Sequence, residues 1–257
     1  MIKMNTEKQD RKIREHDLHI KLAHEYDEKR EGTRNGRYYS KEWLRFMLQQ
    51  IDLSKTKSIL DIGCGTGILY EVLKEEGYQG AYIGTDLSED MLEVGRKRYN
   101  GIELRPMDCE KLEFPSRTFD VVFMRSVLHH IPNPSHAIKE MKRVAKKTII
   151  IGEPARNIIT SFPRYLSKKI TNHFDEDHTH YSVKQLQKLL KKGGVEKYTL
   201  IHFGYLAYPF GFTDIIPGTK YLPLILLKGL FKLDLAISRV PIIKYFSWHL
   251  TAVCKAR

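Results

Sequence analysis

The chain has 257 residues, 42% of them hydrophobic, with a formal net charge of +12 and three cysteines. That length and apolar content suit one large domain with its own core. Without a run of roughly 18 uninterrupted apolar residues a spanning helix is not expected, and the polar, charged start argues against a secretory leader. Cys64, Cys109 and Cys254 show neither metal nor redox spacing. Free thiols suit a reducing, cytoplasmic setting, and the basic balance adds peripheral contact with an anionic membrane as an option.

Residues 5–30 read as a polar helix with Leu18, Leu22 and Tyr26 on one face. Gly32 to Gly36 reads as a break, and residues 40–50 as a second helix carrying Trp43, Phe46, Met47 and Leu48. Ile59-Leu60-Asp61-Ile62 reads as a buried strand that turns through Gly63-Cys64-Gly65-Thr66-Gly67 into a helix starting at Ile68. Glycines stand where backbone must approach a ligand or adopt positive φ. A helix opening just behind them aims free N–H groups at whatever is bound. The pattern is a nucleotide-cofactor site. Its Gly-x-Gly-x-Gly spacing is not the dinucleotide G-x-G-x-x-G, and Gly67-Ile68-Leu69 lacks the Lys-Ser/Thr of a Walker loop. Asp61 before the loop would repel a pyrophosphate and suits a ligand with a cationic amino group.

A second strand, Ala81 to Thr85, ends at Asp86, about twenty residues after the last glycine, where a carboxylate can accept ribose hydroxyls. Ser88 then has the character of an N-cap with Glu89 and Asp90 in the first turn. Ile102 to Met107, Phe119 to Met124 and Lys147 to Glu153 read as three further strands. Ser182 to Gln185 is a capping box for a helix ending at Gly193-Gly194. Residues 195–203 and 246–254 complete seven strands. Alternating strands and helices predict a doubly wound, mostly parallel α/β sheet of Rossmann-like type.

The segment Ile59 to Gly67, followed by Asp86, Asp108 and Arg125-Ser126-Val127-Leu128-His129-His130-Ile131, resembles the class I S-adenosylmethionine (SAM) methyltransferases. It is similar to the large family that includes the quinone-biosynthesis C-methyltransferases, over roughly residues 40–200. The resemblance implies a methyltransferase that uses SAM and releases S-adenosylhomocysteine. It implies a cofactor-binding set of Asp61, Gly63, Cys64, Gly65, Gly67, Asp86, Leu87, Met91, Asp108, Cys109, Arg125 and Ser126. Asp108 is the candidate for the adenine amino group, and the Arg125-Ser126 loop for the methionine half. In that scheme the chain is one domain: an N-terminal helical cap over residues 1–50, and a SAM-binding core over 51–203 and 246–257.

Residues 204–245 depart from the family pattern, since a short hairpin turn would suffice there. The segment is rich in Tyr, Phe, Leu, Ile and Pro with spaced lysines. An amphipathic lid or membrane-facing helix, a packed cap and a dimer contact all fit that composition. Transfer of an electrophilic methyl requires in-line placement of the acceptor, and an oxygen or carbon acceptor gains from a general base. His130, His178, His180 and Glu153 are the candidates. No metal is expected, because His173, His178 and His180 fit no zinc spacing. Tyr26, Arg34, Arg37, Tyr38 and Tyr39 are candidates to close over the cofactor. The expected acceptor is a small molecule, lipid-linked or quinone-like. The alternatives are an RNA methyltransferase, suggested by net charge, and a non-catalytic SAM-binding protein.

Overall fold

The structure, a computed structural model, describes residues 31–157, 160–161, 180–211, 221–238, 240–241 and 243–257. The expected N-terminal helix, with Tyr26, and the histidines His173 and His178 lie outside these residues.

Helix α1 spans Arg34–Leu48, earlier than the expected 40–50. Gly36 is its third residue and not a break: its N–H donates to Thr33 Oγ1 at 3.1 Å, so Thr33 is the N-cap. The first-turn amides have no partner within a helix, and a side-chain cap supplies one. Tyr39, Trp43 and Met47, four residues apart, form its buried stripe.

Strand β1 (Ser58–Ile62) leads through the glycine turn to α2 (Ile68–Glu75). Strand β2 (Ala81–Asp86) leads to α3 (Glu89–Arg98), where Ser88 Oγ accepts the Met91 N–H at 3.3 Å, as its composition predicts. Strand β3 is only Leu104–Pro106. It sits at the sheet edge, where a proline that cannot donate is tolerated. Strand β4 (Phe119–Arg125), α4 (Pro134–Val144) and β5 (Ala145–Pro154) follow without a break between helix and strand. Then come α5 (Val183–Lys192), with the expected capping box, β6 (Tyr198–Phe203), α6 (Ala207–Gly211), α7 (Leu224–Ile237) and β7 (His249–Lys255).

The seven strands run in the order β3-β2-β1-β4-β5-β7-β6. The first five are parallel, and β7 inserts antiparallel between β5 and β6. Chain order reverses between β1 and β4, the switch point at which ligands bind in open α/β sheets. Strands β1 and β4 are buried on both faces, as expected of central parallel strands. Ile59, Val121, Phe123 and Ile150 pack beneath α1, α2 and α3. Leu60, Val122, Met124, Ile149 and Ile151 pack beneath α4 and α5. Asp120, the buried acid within β4, is satisfied by the Lys57 N–H at 2.8 Å and by Lys147 Nζ at 3.3 Å.

Candidate cofactor and acceptor site

Three loops meet at the C-terminal edge of the parallel strands. In the loop after β1, Gly63, Gly65 and Gly67 have φ of 65°, 53° and 86°, left-handed values that favour glycine. The N–H groups of Gly63 and Cys64 both donate to Thr85 O of β2, at 2.7 and 3.0 Å. A Cβ on Gly63 would lie 2.2 Å from Val127 Cγ2, so this glycine lets the loop after β4 close against the loop after β1. A Cβ on Gly65 would meet only Met91 Cε, at 3.6 Å. Packing explains Gly63; at Gly65 the backbone is left bare, a cradle open to a ligand.

Asp86 stands across this cradle at the end of β2. One carboxylate oxygen accepts the Gly65 N–H at 2.9 Å and the other accepts the Ser88 N–H at 3.0 Å. Each oxygen retains a lone pair, which is the pattern that vicinal hydroxyls require. Leu87 beside it is an exposed large hydrophobe, and Met91 is buried under the loop. Asp108 follows β3 and accepts the Glu110 N–H at 3.0 Å, which fixes the turn that carries Cys109. Cys64 is buried, and burial pushes its thiol well above the usual range. A thiol held neutral in this way is a packing residue and not a nucleophile.

Asp61 lies one turn deeper. Its carboxyl is buried, accepts the Tyr82 hydroxyl at 2.9 Å, and is pushed up to about 7 by burial, against the pull of Tyr82 and the Arg125 guanidinium. Arg125, at the end of β4, pairs with Glu31 at 2.9 Å and lies 5.6 Å from the Trp43 ring. Ser126 follows with φ 56°, rare for a residue with a Cβ, held by its N–H on Gly152 O at 2.8 Å. Unusual backbone of this kind concentrates at functional sites.

Glu153, at the end of β5, is fully buried. One carboxyl oxygen accepts the N–H groups of Val127 at 3.0 Å and Leu128 at 2.8 Å. The other lies 2.6 Å from His129 Nδ1. Burial raises this carboxyl to about 7 against the pull of those bonds. His129 packs 4.0 Å from His130 and stacks nearly parallel on His180 at 5.7 Å, so three imidazoles form a row beside the loop after β4. Glu153 thus stands behind His129, and His130 and His180 flank it.

Three of the four candidates on α1 are engaged elsewhere; Arg34 is the first residue of the helix. Arg37 pairs with Glu71 of α2 and donates to Tyr99. Tyr39 is buried against Phe203, Tyr208 and His249. Tyr38 packs edge-on to Phe231 of α7. The sequence reading passed over Glu31, Trp43 and Tyr82 as site residues; the first two reach Arg125, and the third reaches Asp61, only through tertiary contacts.

The methyltransferase-domain family matches residues 60–151, which run from β1 through β5 and contain all three loops. This stretch is a methyltransferase domain, and the chain is a SAM-dependent methyltransferase. Among curated proteins the methyltransferase is similar to a demethylmenaquinone methyltransferase of Bacillus cereus, 26% identical over 215 residues, or 74% of this chain and 90% of the relative. Among solved structures it shares its fold with a SAM-dependent methyltransferase from Thermotoga maritima (TM-score 0.65, 18% identity, 95% of this chain and 100% of the other). Another, from Archaeoglobus fulgidus, superposes with a TM-score of 0.60 at 19% identity, over 90% of this chain and 97% of the other. The cofactor is SAM, and the bare backbone at Gly65 with the two-oxygen acceptor of Asp86 suits its adenosine half.

Proposed function

We propose that this methyltransferase alkylates a small ring acceptor of the quinol or phenol type. The observation that carries this reading is the row of His129, His130 and His180 anchored on buried Glu153 beside the loop after β4. The similarity to the demethylmenaquinone methyltransferase, whose name gives a quinone acceptor, adds support.

In this reading Asp86 takes the ribose hydroxyls, Gly65 offers its bare backbone, and Leu87 and Met91 cover the base beside Asp108. Asp61 faces the ammonium of the cofactor's amino-acid end and Arg125 its carboxylate, opposite charges matched to a zwitterion. Bound SAM supplies an electrophilic methyl group. A quinol or phenol must lose a proton as that methyl arrives, and His130 or His180 accepts it. Glu153 does not touch the acceptor. It fixes the His129 ring and the Val127-Leu128 backbone, and so positions the row. His130 and His180, both partly exposed, offer flat faces for an aromatic ring.

The first experiment is calorimetric titration with S-adenosylhomocysteine, with NAD as control, followed by transfer of labelled methyl from SAM to demethylated naphthoquinols and simple phenols. Binding of the first ligand alone, with label on the ring acceptor, is expected. Binding without transfer to any ring acceptor would overturn the acceptor class. Asp86→Ala should weaken the cofactor product by about 1.5–3 kcal/mol; unchanged affinity in a folded variant would remove Asp86 from the ribose.

A further inference from the structure

We propose that the outward face of α7 is an interfacial surface that docks the methyltransferase on an anionic lipid bilayer. The inference stands apart from the identity of the acceptor.

The inward face of α7 is fixed by Leu227, Phe231 and Asp234, all buried. Phe231 packs on Phe203 at 5.5 Å and on Tyr38 at 6.2 Å. The Asp234 carboxylate accepts three N–H groups at the start of α6: Tyr205 at 2.9 Å, Leu206 at 2.7 Å and Ala207 at 3.1 Å. The one acid of the helix is therefore sequestered, and the rotation of α7 about its axis is set.

What faces water is then apolar. Ile225 is 74% exposed, Leu226 54% and Leu233 49%, and Tyr221 just before the helix is 78% exposed. Gly229 lies between them, with nothing within 4 Å of where a Cβ would stand. Lys228 and Lys232, both exposed, lie one turn apart on one flank of this strip. Isolated exposed hydrophobes are ordinary, but a contiguous strip marks an interaction surface. An apolar strip flanked by lysines, with an amphipathic ring at its end, suits the headgroup boundary of a bilayer.

The length of the helix decides how it lies. Fourteen residues reach about 21 Å at the α-helical rise, short of a bilayer core, and no helix among the described residues is long and apolar enough to cross a membrane. The helix therefore lies in the plane of the interface. Charge decides the occupant. The α7 of a second copy seated face to face would offer Lys228 and Lys232 no carboxylate, since its one acid, Asp234, is buried, whereas anionic headgroups complement them and the +12 of the chain. The docked face is one layer from the site: Asn35 of α1 donates to Leu222 O at 3.0 Å, and α1 carries Trp43.

The test is sedimentation of the full chain with phosphatidylglycerol vesicles and with phosphatidylcholine vesicles. The chain should pellet with the first and stay in solution with the second. The double variant Ile225→Glu/Leu233→Glu should lower partition about tenfold or more while S-adenosylhomocysteine affinity is unchanged. Lys228→Gln/Lys232→Gln, which also removes the Lys228 ammonium from over the Tyr38 ring at 5.7 Å, should weaken partition in low salt while S-adenosylhomocysteine affinity is unchanged. No pelleting with phosphatidylglycerol, or pelleting that both variants leave intact, would overturn the proposal. So would a concentration-dependent dimer, abolished by the glutamate variant, in a chain that ignores vesicles.

Discussion

Asp61 shows how one residue's environment becomes a binding property. Its carboxyl is pushed up to about 7 by burial, with Tyr82, Arg125, Asp86 and Glu31 as the groups that act on it. An ammonium group favours the ionised form, so binding below that value must first release a proton. Affinity for S-adenosylhomocysteine should therefore fall as pH drops through about 7, by up to about tenfold per unit below it. Titration in buffers of different ionisation enthalpy should register the proton released. Asp61→Asn should bind weakly and without this pH dependence; a wild-type affinity flat from acid to alkaline would place the ammonium elsewhere. The carboxylate itself was legible in the sequence. Its upward shift was not, because the burial that causes it arises only when other elements pack around β1.

At the scale of elements, the glycine turn does two separable jobs. Gly63 carries left-handed φ and faces Val127 at 2.2 Å from a would-be Cβ. Gly63→Ala combines backbone strain with overpacking and should cost about 2–5 kcal/mol of stability. Gly65→Ala meets only Met91 Cε and should cost about 1–2 kcal/mol, the backbone share alone, while obstructing the cofactor. Denaturant titration beside calorimetric binding separates the two; equal losses of stability would refute the division of roles. The strand, turn and helix of this unit were readable from local pattern. That Gly63 is a contact between two loops was not, since Val127 lies in the loop after β4, far away in the chain.

The whole molecule's stability should carry the mark of Glu153. Its carboxyl rises from 4.5 to about 7 on folding because it is buried. A group whose folded value is raised contributes stability that is fully present below the unfolded value and is lost as pH rises through the folded one. Stability should thus decline between about pH 4.5 and 7, by about 2–3 kcal/mol from this group. Glu153→Gln keeps an oxygen for Val127 and Leu128 and an N–H for His129 Nδ1, so it should fold and flatten that decline. Denaturant melts at pH 5 and 7.5 check this; parallel slopes in the two proteins would exclude Glu153 as the titrating group. Charge is also redistributed at this scale. Arg117, Lys139, Lys142, Arg143 and Lys192, scattered in the sequence, line one cavity of about 420 Å³ with Arg257. It opens where β5 begins and β7 ends, at the edge of the sheet opposite the glycine turn.

Local sequence encodes the strand–turn–helix alternation, the glycine turn, Asp86 and the caps at Ser88 and Ser182, because each is written in contiguous residues whose periodicity and backbone demands are local. It misplaced the start of α1, where a cap at Thr33 lets the helix run through Gly36. Tertiary structure alone decided that Glu153 lies behind His129, that Arg125 meets Glu31 and Trp43, and that Asp234 turns inward and leaves an apolar strip on α7. These contacts join residues distant in the chain. Burial and partnership arise only when separate elements pack, and no local pattern encodes which side chain another element will bring.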